Sequence, residues 1–246
     1  MYEAHPHLDT PPDNTKVWRF MSLEKYLSLL TTSKLYFCRL DKLEDPWEGT
    51  YPKEIRDWLK EQVTEEQKAG IDRYFESHVK IENFVSCWHA NEYESAAMWD
   101  LYGSRHSSVA VISTIGRIKA SVNDGVRTFI GRAIYDNRVP VRDGVLSTIL
   151  PVFFKRPSFM HENEVRILRQ YGGYLEGQKG VIGALDESNV PDFMACTIDL
   201  AALCESVYFS PLMPKWLAES LTKISLDHGV RDSMIRQSDL YSPYVG

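Results

Sequence analysis

Glu162 and Glu164 stand two residues apart at the mouth of an apolar run, Val165-Arg166-Ile167-Leu168, whose composition predicts a strand. Side chains at i and i+2 of an extended segment share a face, so the two carboxylates are expected side by side with Arg166 next along. Two like charges that close push one pKa upward unless a cation or ligand intervenes. Such a pair can divide the work of group transfer: one acid stabilises positive charge in the transition state, the other accepts a proton. A simpler arrangement fits the same letters, with Arg166 neutralising Glu164 across the pleat of a solvated strand.

Other residue types belong to the same chemistry. Arg19, in Val17-Trp18-Arg19-Phe20, puts a forked cation at a strand end; it suits a diphosphate, or equally a stacking role between its aromatic neighbours. Ser86 lies inside Phe84-Val85-Ser86-Cys87-Trp88, either as a brace for a catalytic group or as a small strand residue. Trp99 and Tyr102, with Met98, are spaced to pack a helix onto a core, or to stack a nucleotide ring from a cleft rim. Lys155 and Arg166 can pair the glutamates or bind an anionic ligand. His89 and His161 are close enough to these motifs to move protons. Asp45, Trp47 and Glu48 are expected to shape a turn, with Glu48 facing the site as the alternative.

The elements that must carry these groups are short. Strands are predicted at Lys16–Phe20, Leu35–Phe37, Asn83–Trp88, Val109–Ser113, Phe129–Tyr135, Val165–Arg169, 195–198, Ser206–Phe209 and 234–236. Ser22 is placed to cap a helix carrying Leu23, Tyr26, Leu27 and Leu30. Residues 53–80 have helical, charged character, with Thr64 to Gln67 as a capping box. Asn91 with Glu94 is expected to open the helix through Trp99, and Val145 to Phe154 to form a hydrophobic helix. Ile115–Val122 and Lys215–Asp227 are further helices, and Tyr171 to Pro191 a Gly-rich loop. Short strands interspersed with helices, without βαβ alternation or a Gly-x-Gly-x-x-Gly or Walker pattern, define an α+β class of mixed or antiparallel sheets with flanking helices. A single domain over 1–246 is expected, with a helical insertion at about 53–80 beside the cleft and a strand-helix-strand unit at about 193–240.

Composition narrows the function classes. The chain has 246 residues, 43% of them hydrophobic, enough for one sizeable core. Its net charge of −6 argues against non-specific attraction to nucleic-acid backbones or anionic membranes, although a nucleic acid held locally stays open. Cys38, Cys87, Cys196 and Cys204 show no paired spacing, so reduced thiols are expected and no metal site. Apolar runs are too short for a bilayer and the start lacks a basic-then-apolar leader, which makes the cytoplasm the default.

Taken together, Leu35-Tyr36-Phe37 with Glu44-Asp45-Pro46-Trp47-Glu48, Ser86-Cys87-Trp88 with Met98-Trp99-Asp100-Leu101-Tyr102, and Lys155 with Glu162-Asn163-Glu164-Val165-Arg166 resemble a bacterial family known as domain of unknown function 2971. The likeness covers residues 17–170. Two departures stand out: the family's Asn-Asp-Pro-Phe-Glu is Glu44-Asp45-Pro46-Trp47-Glu48 here, and its Phe-Ser pair is Trp88-His89, which leaves both Ser86 and Ser95 open. More distantly, the order cation, serine, Glu-x-Glu is similar to ADP-ribosyltransferases of the Arg-Ser-Glu type, with a split β-core. That resemblance implies NAD as substrate, an unidentified protein or nucleic-acid acceptor, and a toxin or phage-defence role. It implies that Arg19 grips the NAD phosphates, that Ser86 braces the carboxylate or ribose, that Glu164 is catalytic and that Glu162 activates the acceptor. All of them are expected in one crevice. Competing readings are a non-catalytic ligand- or partner-binding module, with Glu162, Glu164 and Arg166 as a salt-bridge network, and a nuclease holding a divalent ion on Asp45, Glu162 and Glu164.

Overall fold

The computed structural model describes residues 1–73, 77–135, 149–172 and 187–243. Among these, nine strands form one sheet: β1 (Lys16–Ser22), β2 (Lys34–Arg39), β3 (Asn83–Ala90), β4 (Ser108–Thr114), β5 (Thr128–Arg132), β6 (Glu164–Gln170), β7 (Phe193–Thr197), β8 (Ser206–Phe209) and β9 (Ile235–Gln237). Their order is β5-β6-β3-β1-β4-β8-β9, with β2 pairing β3 and β7 off that path. Every pairing is antiparallel except β8 with β9. Flanking helices are α1 (Leu23–Thr32), α2 (Lys53–Glu61), α3 (Glu65–Arg73), α4 (Val79–Glu82), α5 (Ala96–Tyr102), α6 (Ile115–Ser121), α7 (Leu200–Leu203) and α8 (Lys215–Asp227). The mixed sheet with flanking helices is the class that the short-strand pattern predicts. No described helix is long and apolar enough to cross a membrane.

The sheet forks at β3. β6 runs along one edge of β3 from Asn83 to His89. β1 and β2 therefore share the other edge, β1 pairing at His89 and Ala90 and β2 at Phe84 and Val85. Ser86, Cys87 and Trp88 lie between these two pairings, at the point where the strands part.

Pleating gives the sheet two distinct faces. Phe84, Trp88, Val165, Ile167 and Val17 point into a core completed by Tyr26, Leu29 and Leu30 of α1 and Leu221 of α8. Val85 and Leu168 point the opposite way, under Ile55 and Leu59 of α2, Val79 of α4, Val152 and Phe153. On that second face Trp18 and Phe20 meet Met98 and Trp99 of α5. The charged insertion thus flanks the second face, using an amphipathic side to bury its few apolar residues. Gly131 allows a close approach there: a Cβ on it would stand 3.0 Å from the Phe153 ring.

Several local expectations change. Residues 150–153 form a short 3-10 turn in place of a hydrophobic helix, because Pro151 supplies no amide hydrogen; 145–148 lie outside the described residues. The α5 cap is Ser95, whose Oγ accepts from the Met98 amide at 3.4 Å, and not Asn91. Glu94 instead accepts from Trp99 Nε1 and Ser238 Oγ. Half of the capping box forms, the Thr64 amide donating to Gln67 Oε1. Most of the Gly-rich loop, 173–186, lies outside the described residues.

Candidate functional site

β6 begins at Glu164, so Glu162 is not on the strand. It closes a 3-10 turn, Pro157–Glu162, and Asn163 follows in the left-handed region at φ 38°. Asparagine tolerates that conformation better than most residues. The turn is fastened to β3: the Ala90 amide donates to the Asn163 carbonyl at 2.9 Å, and Asn163 Nδ2 donates back to the Ala90 carbonyl. The two acids do come together, through this reversal instead of the pleat.

What holds them is Lys155. Its ammonium donates to Glu162 Oε2 and, at 2.8 Å, to Glu164 Oε2. Arg166 adds a fork to Glu164, Nε to Oε1 at 2.9 Å and Nη2 to Oε2 at 3.1 Å. Arg166 is 0% exposed, and its Nη1 donates to the Val152 carbonyl. Glu48 completes the cluster from the loop before α2, 3.6 Å from Lys155 Nζ and 2.5 Å from Arg166 Nη2, the latter without hydrogen-bond alignment. Tyr135, which no sequence motif marked, accepts the Glu164 amide at 2.9 Å. Tyr102, half-exposed on α5, brings its hydroxyl beside Glu162. Phe159 lies against Lys155, 5.1 Å from its ammonium.

The electrostatics follow from burial and pairing. Burial pushes the Glu164 carboxyl upward, but Arg166 and Lys155 together outweigh it and hold the pKa at about 2. Glu48 goes the other way: burial raises it by more than Arg166 and Lys155 lower it, and repulsion from Glu164 adds to the rise. Burial, then the neighbouring Glu162 charge, raises the Tyr102 hydroxyl; burial raises that of Tyr135 to about 12. The cation that the paired acids require is thus built in, and the upward shift lands on the third acid.

A pH dependence is expected. Glu164 is depressed from 4.5 to about 2, so its stabilisation is full above pH 4.5 and is lost as pH falls toward 2. The change is roughly 3 kcal/mol, offset in part by Glu48, whose raised pKa works against the folded state above its unfolded value. Urea melts across that window should show the loss, and Glu164→Gln should flatten it.

The other expected members lie elsewhere. Cross-strand partners share a face, and Glu164 is opposite His89 while Trp88 is opposite Val165. Arg19 belongs to the Trp88 face: its Nη1 donates to Ser86 Oγ at 2.6 Å, its Nη2 to the Tyr36 carbonyl at 3.2 Å, and its guanidinium lies 5.8 Å from the Trp88 ring. Trp88 Nε1 donates to the same Ser86 Oγ at 3.1 Å. Arg19 and Ser86 therefore meet each other but leave the side of the sheet that carries Glu162 and Glu164. The expectation of one shared crevice fails on strand parity. Arg19 instead ties β1 to β2 across the fork, half-buried, its pKa lowered by burial, with no carboxylate in an ion pair with it among the described residues. Arg19→Ala should lower stability by about 1–3 kcal/mol through loss of its charged hydrogen bonds to Ser86 Oγ, which keeps Trp88 Nε1, and to the Tyr36 carbonyl; urea melts check it, and lysine should not restore it.

Trp99 is fully buried, edge-on to Phe20 with centroids 4.9 Å apart, and offers no ring surface to a ligand; Tyr102 does. Ser95 is committed to its cap. Asp45 shapes its turn, accepting the Trp47 amide, and pairs with both nitrogens of the Arg156 fork at 3.0 Å. No group of three or more acidic, His or Cys residues among those described can hold a metal. The Lys155 ammonium occupies the ground between Glu162 and Glu164 that the nuclease reading assigned to an ion, and Asp45 is elsewhere.

No family model matches the chain, and no curated protein does. Among solved structures it is similar to DarT from Thermus sp. 2.9, determined in complex with ADP-ribosylated single-stranded DNA. The match spans 94% of this chain and 97% of DarT at 10% identity, with a TM-score of 0.39.

Proposed function

We propose that this protein is an ADP-ribosyltransferase-like enzyme that uses NAD, acting on a protein or nucleic-acid acceptor from the sheet face bearing Glu48, Glu162 and Glu164. The observation that carries the reading is a charge surplus: three buried carboxylates against two cations, beneath the half-exposed ring of Tyr102. Breaking the bond between nicotinamide and ribose develops positive charge on the sugar, as in glycoside cleavage. Fixed negative charge in a water-poor setting stabilises that transition state more than the ground state. The motif resemblance supplies the substrate class.

Roles within the pair shift from the first expectation. Both Glu164 oxygens are taken by Arg166 and Lys155, which suits a fixed electrostatic anchor. Glu162 is held by Lys155 and stands beside Tyr102, so it is the acid assigned to the ribose. Arg19 keeps the diphosphate only if the dinucleotide passes through the fork, where Ser86 to Trp88 are flanked by parting strands.

A second reading is favoured by the closure of the same cluster: Arg166 has no exposure and Glu164 is 4% exposed, as in a structural ion-pair network of a non-catalytic binding module. Incubation with millimolar NAD separates the two. Release of nicotinamide supports the enzyme; neither release nor a thermal shift removes it. Activity lost only with a chelator would return the metal reading.

A further inference from the structure

We infer that His89 is the general base of this site, taking the proton of the acceptor nucleophile on Nε2; the inference rests on the transferase reading above. His89 lies on β3 directly opposite Glu164 and is 5% exposed. Its Nδ1 lies 2.5 Å from the backbone carbonyl of Glu162. A carbonyl only accepts, so Nδ1 carries the hydrogen and the neutral ring presents its lone pair at Nε2. Nε2 is buried and meets no partner. An unmet buried acceptor is unfavourable by about 1–3 kcal/mol, which a donor N–H or O–H seated on this face relieves.

Charge completes the case. The groups facing this side are Glu48, Glu162, Glu164, Lys155 and Arg166, with the Tyr102 and Tyr135 hydroxyls, the Cys87 thiol, and the Phe20 ring 6.3 Å away. Three acidic side chains against two cations give this side of the sheet an acidic balance. The carbonyl fixes the tautomer, which is one of the roles of the acid in a nucleophile–histidine–acid triad.

The step balances as follows. The acceptor X–H gives its proton to Nε2, and the freed electron pair forms the X–C1′ bond. The C1′–N bond to nicotinamide breaks, its pair returning to the ring nitrogen and cancelling the pyridinium charge. The imidazolium then gives its proton to a water that enters as the products leave.

The test uses His89→Asn. The asparagine amide can keep the hydrogen bond to the Glu162 carbonyl but has no counterpart of Nε2. With water as acceptor, nicotinamide release from NAD should fall about 100-fold or more, with the acidic limb of the pH–rate profile abolished and the melting temperature near that of the parent. Turnover within threefold of the parent, or an unchanged acidic limb, overturns the inference while leaving the transferase reading intact. A parent protein that releases no nicotinamide removes both. Should the variant not fold, nitrogen-edited NMR of the parent decides: a bare Nε2 with protonated Nδ1 supports the inference, and the opposite tautomer overturns it.

Discussion

Arg166→Leu is expected to unfold the protein or bring it to the edge of unfolding. The guanidinium is fully buried and answers Glu164 on both oxygens, lies against Glu48 and donates to the Val152 carbonyl. Removing it leaves three buried carboxylates sharing Lys155, and the carbonyl without its donor. Breaking a buried pair from one side typically costs about 3–5 kcal/mol, against a total stability of about 5–15 kcal/mol. Lysine should fail as a substitute because one ammonium cannot reproduce the fork. The signature that separates stranded charge from lost packing is partial rescue: Arg166→Leu combined with Glu164→Gln and Glu48→Gln should melt at higher urea than Arg166→Leu alone. Arg169→Leu is the control. It is equally buried, but its partner Asp124 is 26% exposed and can rehydrate, so the loss should be smaller. Equal losses at both arginines, without rescue, would refute the charge argument.

Glu162→Gln is expected to lower nicotinamide release by about 100-fold or more while leaving stability within about 1 kcal/mol, since the amide oxygen still accepts from Lys155. Glu164→Gln should damage both, because its charge balances Arg166 and Lys155 in the interior. The contrast rests on where the turn ends and the strand begins: Glu162 belongs to the segment beneath Tyr102, Glu164 to the core of the sheet. Steady-state rates paired with melts decide it. Full activity in Glu162→Gln with none in a well-folded Glu164→Gln would restore the catalytic role to Glu164.

The sheet and its helices were legible in the chain because strands such as Val109–Ser113 and helices such as Lys215–Asp227 announce themselves by period and composition. The association of Lys155 with the two acids was legible too. Two things were not. Alternation along one strand says which residues share a face, but only the register between β1, β3 and β6 says that Arg19 and Ser86 share theirs with Trp88 and not with Glu164. Asn163 also hides its geometry, since an asparagine between two glutamates reads as part of a strand until its backbone turns left-handed. Glu48 is marked only as part of a turn motif that could face the site, and Tyr135, which joins through long-range packing, is not marked by any local pattern. His89 is legible only as a histidine close to the motifs, a position it shares with His161.

Glu48 reaches the site from a loop more than a hundred residues before Arg166, whereas Lys155, Glu162 and Glu164 are near neighbours in sequence. During folding, the local acids can find Lys155 early, but Arg166 is balanced on both sides only after the segment leading into α2 has closed over the sheet. Docking of that segment should therefore come late, and slowing it should prolong an intermediate with an incompletely matched interior cation.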